Sequence, residues 1–139
     1  MSFSLDSRLQ NDCIEIMDLP LCKVLLMNES RYPWFILVPR IEHVRELIDL
    51  KLGQQQRLWD ESNLLSQFLQ TYFQPDKLNV AALGNVVPQL HLHHIARFEA
   101  DAAWPAPVWG KYPPEPYHDE RATQIKSDFV RFVSEQADF

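Results

Sequence analysis

The spacing of apolar and polar residues predicts strands in the first third of this chain. Residues 23–27 and 34–38 are two short apolar runs, rich in branched or aromatic side chains and bounded by turn formers. The polar connector at residues 28–33 predicts a hairpin loop, so the two strands are expected to pair in antiparallel fashion. Ahead of them, Asp6 or Ser7 is expected to cap a short helix.

The spacing then changes to that of a helix and back again. From residue 54 to residue 73 apolar side chains recur at i, i+3, i+4 and i+7, which predicts an amphipathic helix. Strand character returns at residues 77–83 and again at residues 89–95, and a last helix is expected at about residues 120–136. This order predicts one α+β domain over residues 1–139, with an antiparallel sheet of about five strands and helices on one face.

The run at residues 89–95 contains three of the five histidines of the chain. Side chains of a strand alternate between its faces, so Gln89, His91 and His93 are expected in one row. His94 is expected on the covered face, as a hydrogen-bonded core or interface histidine. Two imidazoles and a carboxamide in one row are costly in a core and useful in a functional site. The row therefore predicts where the function lies.

A metal site is the alternative reading of a His-x-His pair on a strand, as in zinc enzymes. It would need a third and usually a fourth ligand, and only His43, His118 or carboxylates remain to supply them. We therefore expect no metal.

Composition narrows the classes of function. The formal net charge is −6 and no Lys/Arg cluster occurs, which argues against a nucleic-acid partner. No apolar run is long enough to span a bilayer and no apolar leader is visible, so a cytoplasmic protein is expected. Cys13 and Cys22 are expected to be reduced. The three glycines are too widely separated for a P-loop or a dinucleotide fingerprint.

The histidine run resembles the signature of the histidine triad family, His-φ-His-φ-His-φ-φ on a strand, where φ is apolar. Here it reads Gln89-Leu-His-Leu-His-His-Ile95, with Gln89 in the place of the first histidine and His94 at an apolar position. Trp34 stands where many members have a further histidine. The resemblance covers about residues 21–98. It is closest to bacterial members with a Gln-x-His-x-His variant and a Trp-Pro-x-Pro-Val-Trp-Gly tail.

Other positions match the binding elements of that family. Gly84-Asn85-Val86 resembles its phosphate loop, Asn79 its polar residue that reaches toward phosphate, and Asn28 its ribose-contacting acid or amide. The resemblance implies a nucleotide hydrolase or nucleotidyl transferase that needs no cofactor. Its substrate would carry a phosphoanhydride, as in a dinucleoside polyphosphate, or a phosphoramidate.

The chemistry of such a reaction assigns roles within the row. His91 is central and best placed to attack phosphorus, forming a nucleotidyl–histidine intermediate, while Gln89 and His93 flank the phosphate. Arg97 shares this face, as a phosphate contact or a surface ion pair. The alternative function is a nucleotide-binding regulatory protein with little or no turnover, because Gln89 can orient a phosphate but cannot carry a proton.

Residues 104–118 are expected to form an extended arm, since they hold five of the ten prolines of the chain together with four aromatic residues. Two packings are open: across a two-fold interface onto the neighbouring subunit, or over the core of the arm's own chain. Histidine triad proteins are commonly dimers, so we expect a homodimer with the arm at or near the interface.

Overall fold

The computed structural model describes residues 3–136 of the chain. Its elements follow the order α, three strands, α, two strands and α, with a one-turn 3-10 helix at Leu47–Asp49. Their bounds are α1 Ser7–Asp12, β1 Cys13–Asp18, β2 Cys22–Met27, β3 Trp34–Pro39, α2 Leu52–Phe73, β4 Lys77–Ala81, β5 Leu92–Arg97 and α3 Asp119–Ser134.

The five strands form one antiparallel sheet in the order β1-β2-β3-β5-β4. This confirms the predicted fold class. β5 lies between β3 and β4: Ile36 pairs with His93 on one side, and Ala81 pairs with His93 on the other. The edge strand β1 was not foreseen, because Glu15 and Asp18 interrupt its apolar residues.

Each face of the sheet is covered by a different part of the chain. α2 and α3 pack on one face, where Phe68 lies 5.0 Å from Phe129 between ring centroids. The opposite face, the one that carries His93 and Ile95, is covered by α1 through Leu9, by the arm through Val108 and by Ala103 just before the arm. The prediction that the helices lie on one face of the sheet is therefore correct for α2 and α3, while α1 lies on the other face. α1 is too short to cover more than a corner of the sheet.

The start of the histidine strand was predicted wrongly. β5 begins at Leu92, and Gln89 and His91 precede it instead of belonging to it. Pro88 has no N–H to donate to a ladder, and the N–H of Leu90 donates to the carbonyl of Val44 at 2.9 Å, so this stretch is bonded to the loop after β3. The predicted strand at residues 77–83 likewise ends at Ala81.

The arm packs against its own chain and is anchored by a buried ion pair. Arg97, 2% exposed, donates through Nε to Asp101 at 2.8 Å and through Nη2 to the carbonyl of Ala106 at 2.8 Å. Burial acts to raise the pKa of Asp101, but Arg97 and three backbone N–H groups outweigh it and lower that pKa to about 2. Arg97 was expected to contact phosphate or to form a surface ion pair. It forms an ion pair with Asp101, and this pair is buried.

Two smaller expectations concern the cysteines and the membrane. Cys13 and Cys22 are both free, and burial raises the pKa of each thiol, that of Cys13 to about 12. Within residues 3–136, no helix combines the length and the apolar character needed to cross a bilayer.

Candidate functional site

His91, just before β5, and His93, the second residue of β5, lie side by side. Their ring centroids are 4.9 Å apart and the rings meet edge to face. The two residues are only 7% and 5% exposed. The predicted pairing of these two imidazoles is thus present, on the sheet face away from α2 and α3.

The hydrogen bond from Trp34 determines which ring nitrogen of neutral His93 carries the proton. Trp34 Nε1 lies 3.0 Å from His93 Nδ1. An indole N–H can only donate, so Nδ1 accepts and the ring proton of neutral His93 lies on Nε2. Burial lowers the pKa of His93 to about 3, with a smaller contribution from His91. His93 is therefore neutral near pH 7.

His91 has the opposite tautomer. Its Nδ1 lies 2.7 Å from the main-chain carbonyl oxygen of Gln89. A carbonyl can only accept, so Nδ1 carries the proton, and in the neutral ring Nε2 keeps its lone pair. One ring of the pair thus offers a nucleophilic nitrogen, and its neighbour offers an N–H donor.

The side chain of Gln89 is bonded to the N-terminal segment, which we define as residues 3–6. Its Oε1 accepts from the N–H of Asp6 at 2.9 Å, and its Nε2 donates to the carbonyl of Ser4 at 2.9 Å. The carboxamide therefore has backbone partners on both ends instead of lying open beside His91 for a phosphate. Sequence reasoning gave no signal for this contact, since the partners are separated by 83 and 85 positions.

The predicted phosphate loop connects β4 to the histidines. Gly84 has φ of +79°, a left-handed conformation that favours glycine, and Asn85 and Val86 are exposed. Arg8 holds this loop to α1 by donating from Nη1 to the carbonyl of Val86 at 2.9 Å. Asn79 is bonded elsewhere: its Oδ1 accepts from Arg97 at 3.0 Å, so it supports the anchor of the arm.

A cavity of about 520 Å³ lies between the β2–β3 hairpin and the arm, and its lining includes neither His91 nor His93. Asn28 lines it and accepts from the N–H of Tyr117 at 2.9 Å through Oδ1. Trp34 and Trp109 line it as well, and the Trp109 ring lies 5.1 Å from that of His93 between centroids. The two indoles therefore stand between the cavity and His93. Trp109 was not predicted as a site residue, although the Trp-Pro-x-Pro-Val-Trp-Gly run contains it.

His94 confirms the prediction of a core histidine. It is fully buried on the helix-covered face, where Nδ1 donates to the carbonyl of Leu92 at 3.2 Å and Nε2 accepts from the Ser62 hydroxyl at 2.7 Å. Burial lowers its pKa to about 4. His94 thus belongs to the core and takes no part in the pair formed by His91 and His93.

The described part of the chain, residues 3–136, holds no group of three or more His, Cys, Asp or Glu side chains arranged to bind a metal ion. His43 and His118 are not brought to the histidine pair; His43 lies in the loop after β3 with its side chain 92% exposed.

Comparison with known proteins identifies the family of this fold. The family model of the HIT domain matches residues 8–100, about two thirds of the chain. The chain belongs to the HIT family. As a HIT protein it has the nucleotide-binding fold of the histidine triad proteins.

Three solved structures of bacterial histidine triad proteins are similar over nearly the whole chain. The protein from Marinobacter aquaeolei is 49% identical, covers 99% of this chain and 100% of its own, and has a TM-score of 0.94. The protein from Bradyrhizobium japonicum is 47% identical, with 96% and 99% covered and a TM-score of 0.94. The protein from Sinorhizobium meliloti is 42% identical, with 93% and 96% covered and a TM-score of 0.91. No curated protein matches this sequence.

Proposed function

We propose that this HIT protein is a nucleotide hydrolase or nucleotidyl transferase that works through a nucleotidyl–His91 intermediate. The observation that carries the proposal is the pair of opposite tautomers, with a lone pair on His91 Nε2 and an N–H on His93 Nε2 in rings whose centroids are 4.9 Å apart. Phosphoryl chemistry needs one nucleophile held in line and donors for the phosphate oxygens. These two rings offer one group of each kind.

The first step is displacement at the α-phosphorus of the bound nucleotide. The lone pair of His91 Nε2 attacks opposite the leaving oxygen; the P–N bond forms and the P–O bond breaks, with its electron pair going to the leaving group. The Nδ1 proton stays hydrogen-bonded to the Gln89 carbonyl, which stabilises the positive ring. Water or another acceptor then attacks phosphorus, the P–N bond breaks and its pair returns to Nε2. The proton of the acceptor goes to solvent.

The low pKa of His93 favours one class of substrate. With a pKa of about 3, His93 gives a hydrogen bond at neutral pH but has no extra proton to transfer, and Gln89 has none either. A polyphosphate oxygen leaves as an anion without a proton, whereas an amine leaving group needs one. We therefore propose phosphoanhydrides, such as dinucleoside polyphosphates, ahead of phosphoramidates.

The nucleotide is proposed to lie with its nucleoside in the cavity beside Asn28 and Trp109, and with its phosphates toward His91. Backbone N–H groups at Gly84–Val86 would hold the remaining oxygens, as loops of this shape do for other anions. The size of the cavity, about 520 Å³, lies within the range typical of small-molecule sites. Asn79 supports this arrangement through Arg97 and the arm rather than by touching phosphate.

We further propose that the protein acts as a cytoplasmic homodimer. β4 is an edge strand of the sheet, and Val80 on it and Leu83 and Val86 after it are exposed apolar residues. Edge strands and apolar patches of this kind are usually covered in a stable protein. The arm aromatics, in contrast, already have partners in their own chain, so β4 is the better candidate for the interface.

The proposal is tested with a panel of dinucleoside polyphosphates and nucleoside phosphoramidates, with release of mononucleotide as the measurement. We expect turnover of the anhydrides and much slower turnover of the phosphoramidates. With α-labelled substrate, the protein should carry a label that is stable in base and lost in acid, as a P–N bond requires. His91→Ala should lose both turnover and label, while His43→Ala, which alters an exposed histidine outside the site, should keep both.

A nucleotide-binding regulatory protein is the second candidate, and the near-complete burial of His91 and His93 favours it. It predicts tight binding of nucleotides without release of mononucleotide and without labelled protein. That outcome for the unmodified chain, across the whole panel, would replace the enzymatic proposal.

A further inference from the structure

We propose that Gln89 is a positioning residue that makes the N-terminal segment part of the catalytic apparatus. In this proposal, which rests on the proposed function of His91, the carboxamide of Gln89 ties residues 4 and 6 to the main-chain carbonyl that sets the tautomer of the nucleophile. Gln89 then acts on the reaction through His91 rather than through a contact with phosphate.

The carbonyl of Gln89 lies outside the sheet and is supported through its own peptide unit and through the side chain of Gln89. β5 begins only at Leu92, so the peptide that accepts from His91 Nδ1 is not held in a strand ladder. The N–H of Leu90, which lies in the same planar peptide unit as this carbonyl, donates to the carbonyl of Val44 and gives it one support. At residue 89 itself the support comes from the side chain, whose two bonds to Asp6 and Ser4 are both 2.9 Å long.

The segment that receives Gln89 is itself well anchored. Phe3 and Leu5 pack against the apolar cluster on the histidine face of the sheet. Asp6 caps α1 by accepting from the N–H of Arg8 at 2.8 Å, and Arg8 in turn donates to Val86 in the predicted phosphate loop. A carboxamide whose two ends are both paired with the backbone of such an anchor loses its rotational freedom, which also restricts the main-chain carbonyl carbon four bonds away on the same residue.

Loss of this support should change the protonation of His91. A carbonyl that moves away from Nδ1 no longer selects the Nδ1–H tautomer, and part of the population then carries its proton on Nε2, where it blocks attack on phosphorus. The effect falls on the reacting geometry and leaves the binding cavity at Asn28 and Trp109 intact. The turnover number should therefore drop while KM changes little.

The first test replaces Gln89 by methionine, which keeps the shape of the side chain and removes both hydrogen bonds. Nitrogen-15 NMR of the imidazole of His91 should give the pattern of a single Nδ1–H tautomer in the unmodified protein and a mixture in Gln89→Met. With a dinucleoside polyphosphate as substrate, kcat should fall about tenfold with KM nearly unchanged.

A matched pair of Asp6 variants tests the hydrogen bond from the Asp6 N–H to the side chain of Gln89. The φ of Asp6 is −55°, which proline adopts without strain, so Asp6→Pro removes the N–H that Gln89 accepts from. Asp6→Ala loses the same capping carboxylate but keeps that N–H. We expect kcat of Asp6→Pro to be several-fold below that of Asp6→Ala, with the mixed tautomer seen only in the proline variant.

The proposal is overturned if His91 keeps a single Nδ1–H tautomer in both Gln89→Met and Asp6→Pro, whatever the rates are. A raised KM together with an unchanged tautomer in Gln89→Met would assign Gln89 to phosphate binding instead and would also overturn it. The NMR measurement needs no substrate. Absence of turnover in the unmodified protein would therefore count against the proposed function alone, while the tautomer of His91 would still decide the role of Gln89.

Discussion

Protonation of His94 should make the protein less stable in mild acid. His94 is fully buried and uses both ring nitrogens as a neutral imidazole, donating to Leu92 and accepting from Ser62. A second ring proton, on Nε2, would force the Ser62 hydroxyl to turn and accept, and the charged ring would stay buried away from solvent. The unfolded chain has no such constraint and binds that proton freely.

The magnitude follows from the two pKa values. Burial lowers the pKa of His94 from 6.5 to about 4 in the folded protein. Because the folded value is below the unfolded value, the unfolded state binds more protons between these pH values, and the free energy of unfolding falls as the pH falls from about 6.5 toward 4. The full shift corresponds to about 3.4 kcal/mol, of which about 2 kcal/mol is lost by pH 5.

Urea unfolding at about pH 7.5 and pH 5 measures this loss directly. The comparison is between the unmodified protein and the double variant Ser62→Ala/His94→Leu, which removes the titrating ring together with its hydroxyl partner. The low pKa of His93 acts in the same direction, but His93 is present in both proteins, so the difference between their pH dependences isolates His94. Equal losses in the two proteins would refute the assignment of the acid sensitivity to His94.

The remaining predictions concern the site, its anchor and its assembly. His91→Ala should still bind nucleotide in titration calorimetry, because the contact of His91 with phosphorus is made in the transition state. His93→Ala should weaken both binding and turnover. Turnover at the wild-type rate in His91→Ala would exclude His91 as the nucleophile. Arg97→Met should lower the free energy of unfolding by about 3–5 kcal/mol, since it leaves the buried carboxylate of Asp101 with backbone hydrogen bonds but without its charged partner; a loss below about 1 kcal/mol in urea would contradict this. A metal chelator should leave turnover unchanged, and abolition of turnover would favour a metal mechanism. Sedimentation at tens of micromolar should give a dimer, and a monomer there would rule out the proposed assembly.

Local patterns accounted for most of the fold. The branched and aromatic runs around residues 23–27 and 34–38 form β2 and β3, and the apolar stripe from residue 54 forms α2, because in each case the residues that alternate or recur are the ones that the sheet and helix bury. The predictions failed where contacts between distant parts of the chain determine the local structure. Gln89 and His91 continue the alternation of β5 but are drawn out of the sheet by the bond between Leu90 and Val44.

The candidate site was predictable in part for the same reason. The pairing of His91 and His93 and the separate role of His94 follow from alternation along one strand. The partners that fix their tautomers do not: Trp34 reaches His93 across 59 positions, and the carboxamide of Gln89 reaches Asp6 across 83. Such contacts leave no periodic trace in a single sequence, so the direction of each ring proton could be read only from the folded chain.

The position of the N-terminal segment has a practical consequence for handling the protein. A purification tag fused ahead of residue 3 would be attached to the N-terminal segment that the side chain of Gln89 binds. Gln89 lies only two residues before His91 in the chain. A tag that follows α3 starts from the opposite face of the sheet, where α3 packs with α2. Recombinant material for kinetics or ligand screening should therefore carry its tag after α3, and weak activity in a protein tagged at the other end should be re-measured after the tag has been cleaved.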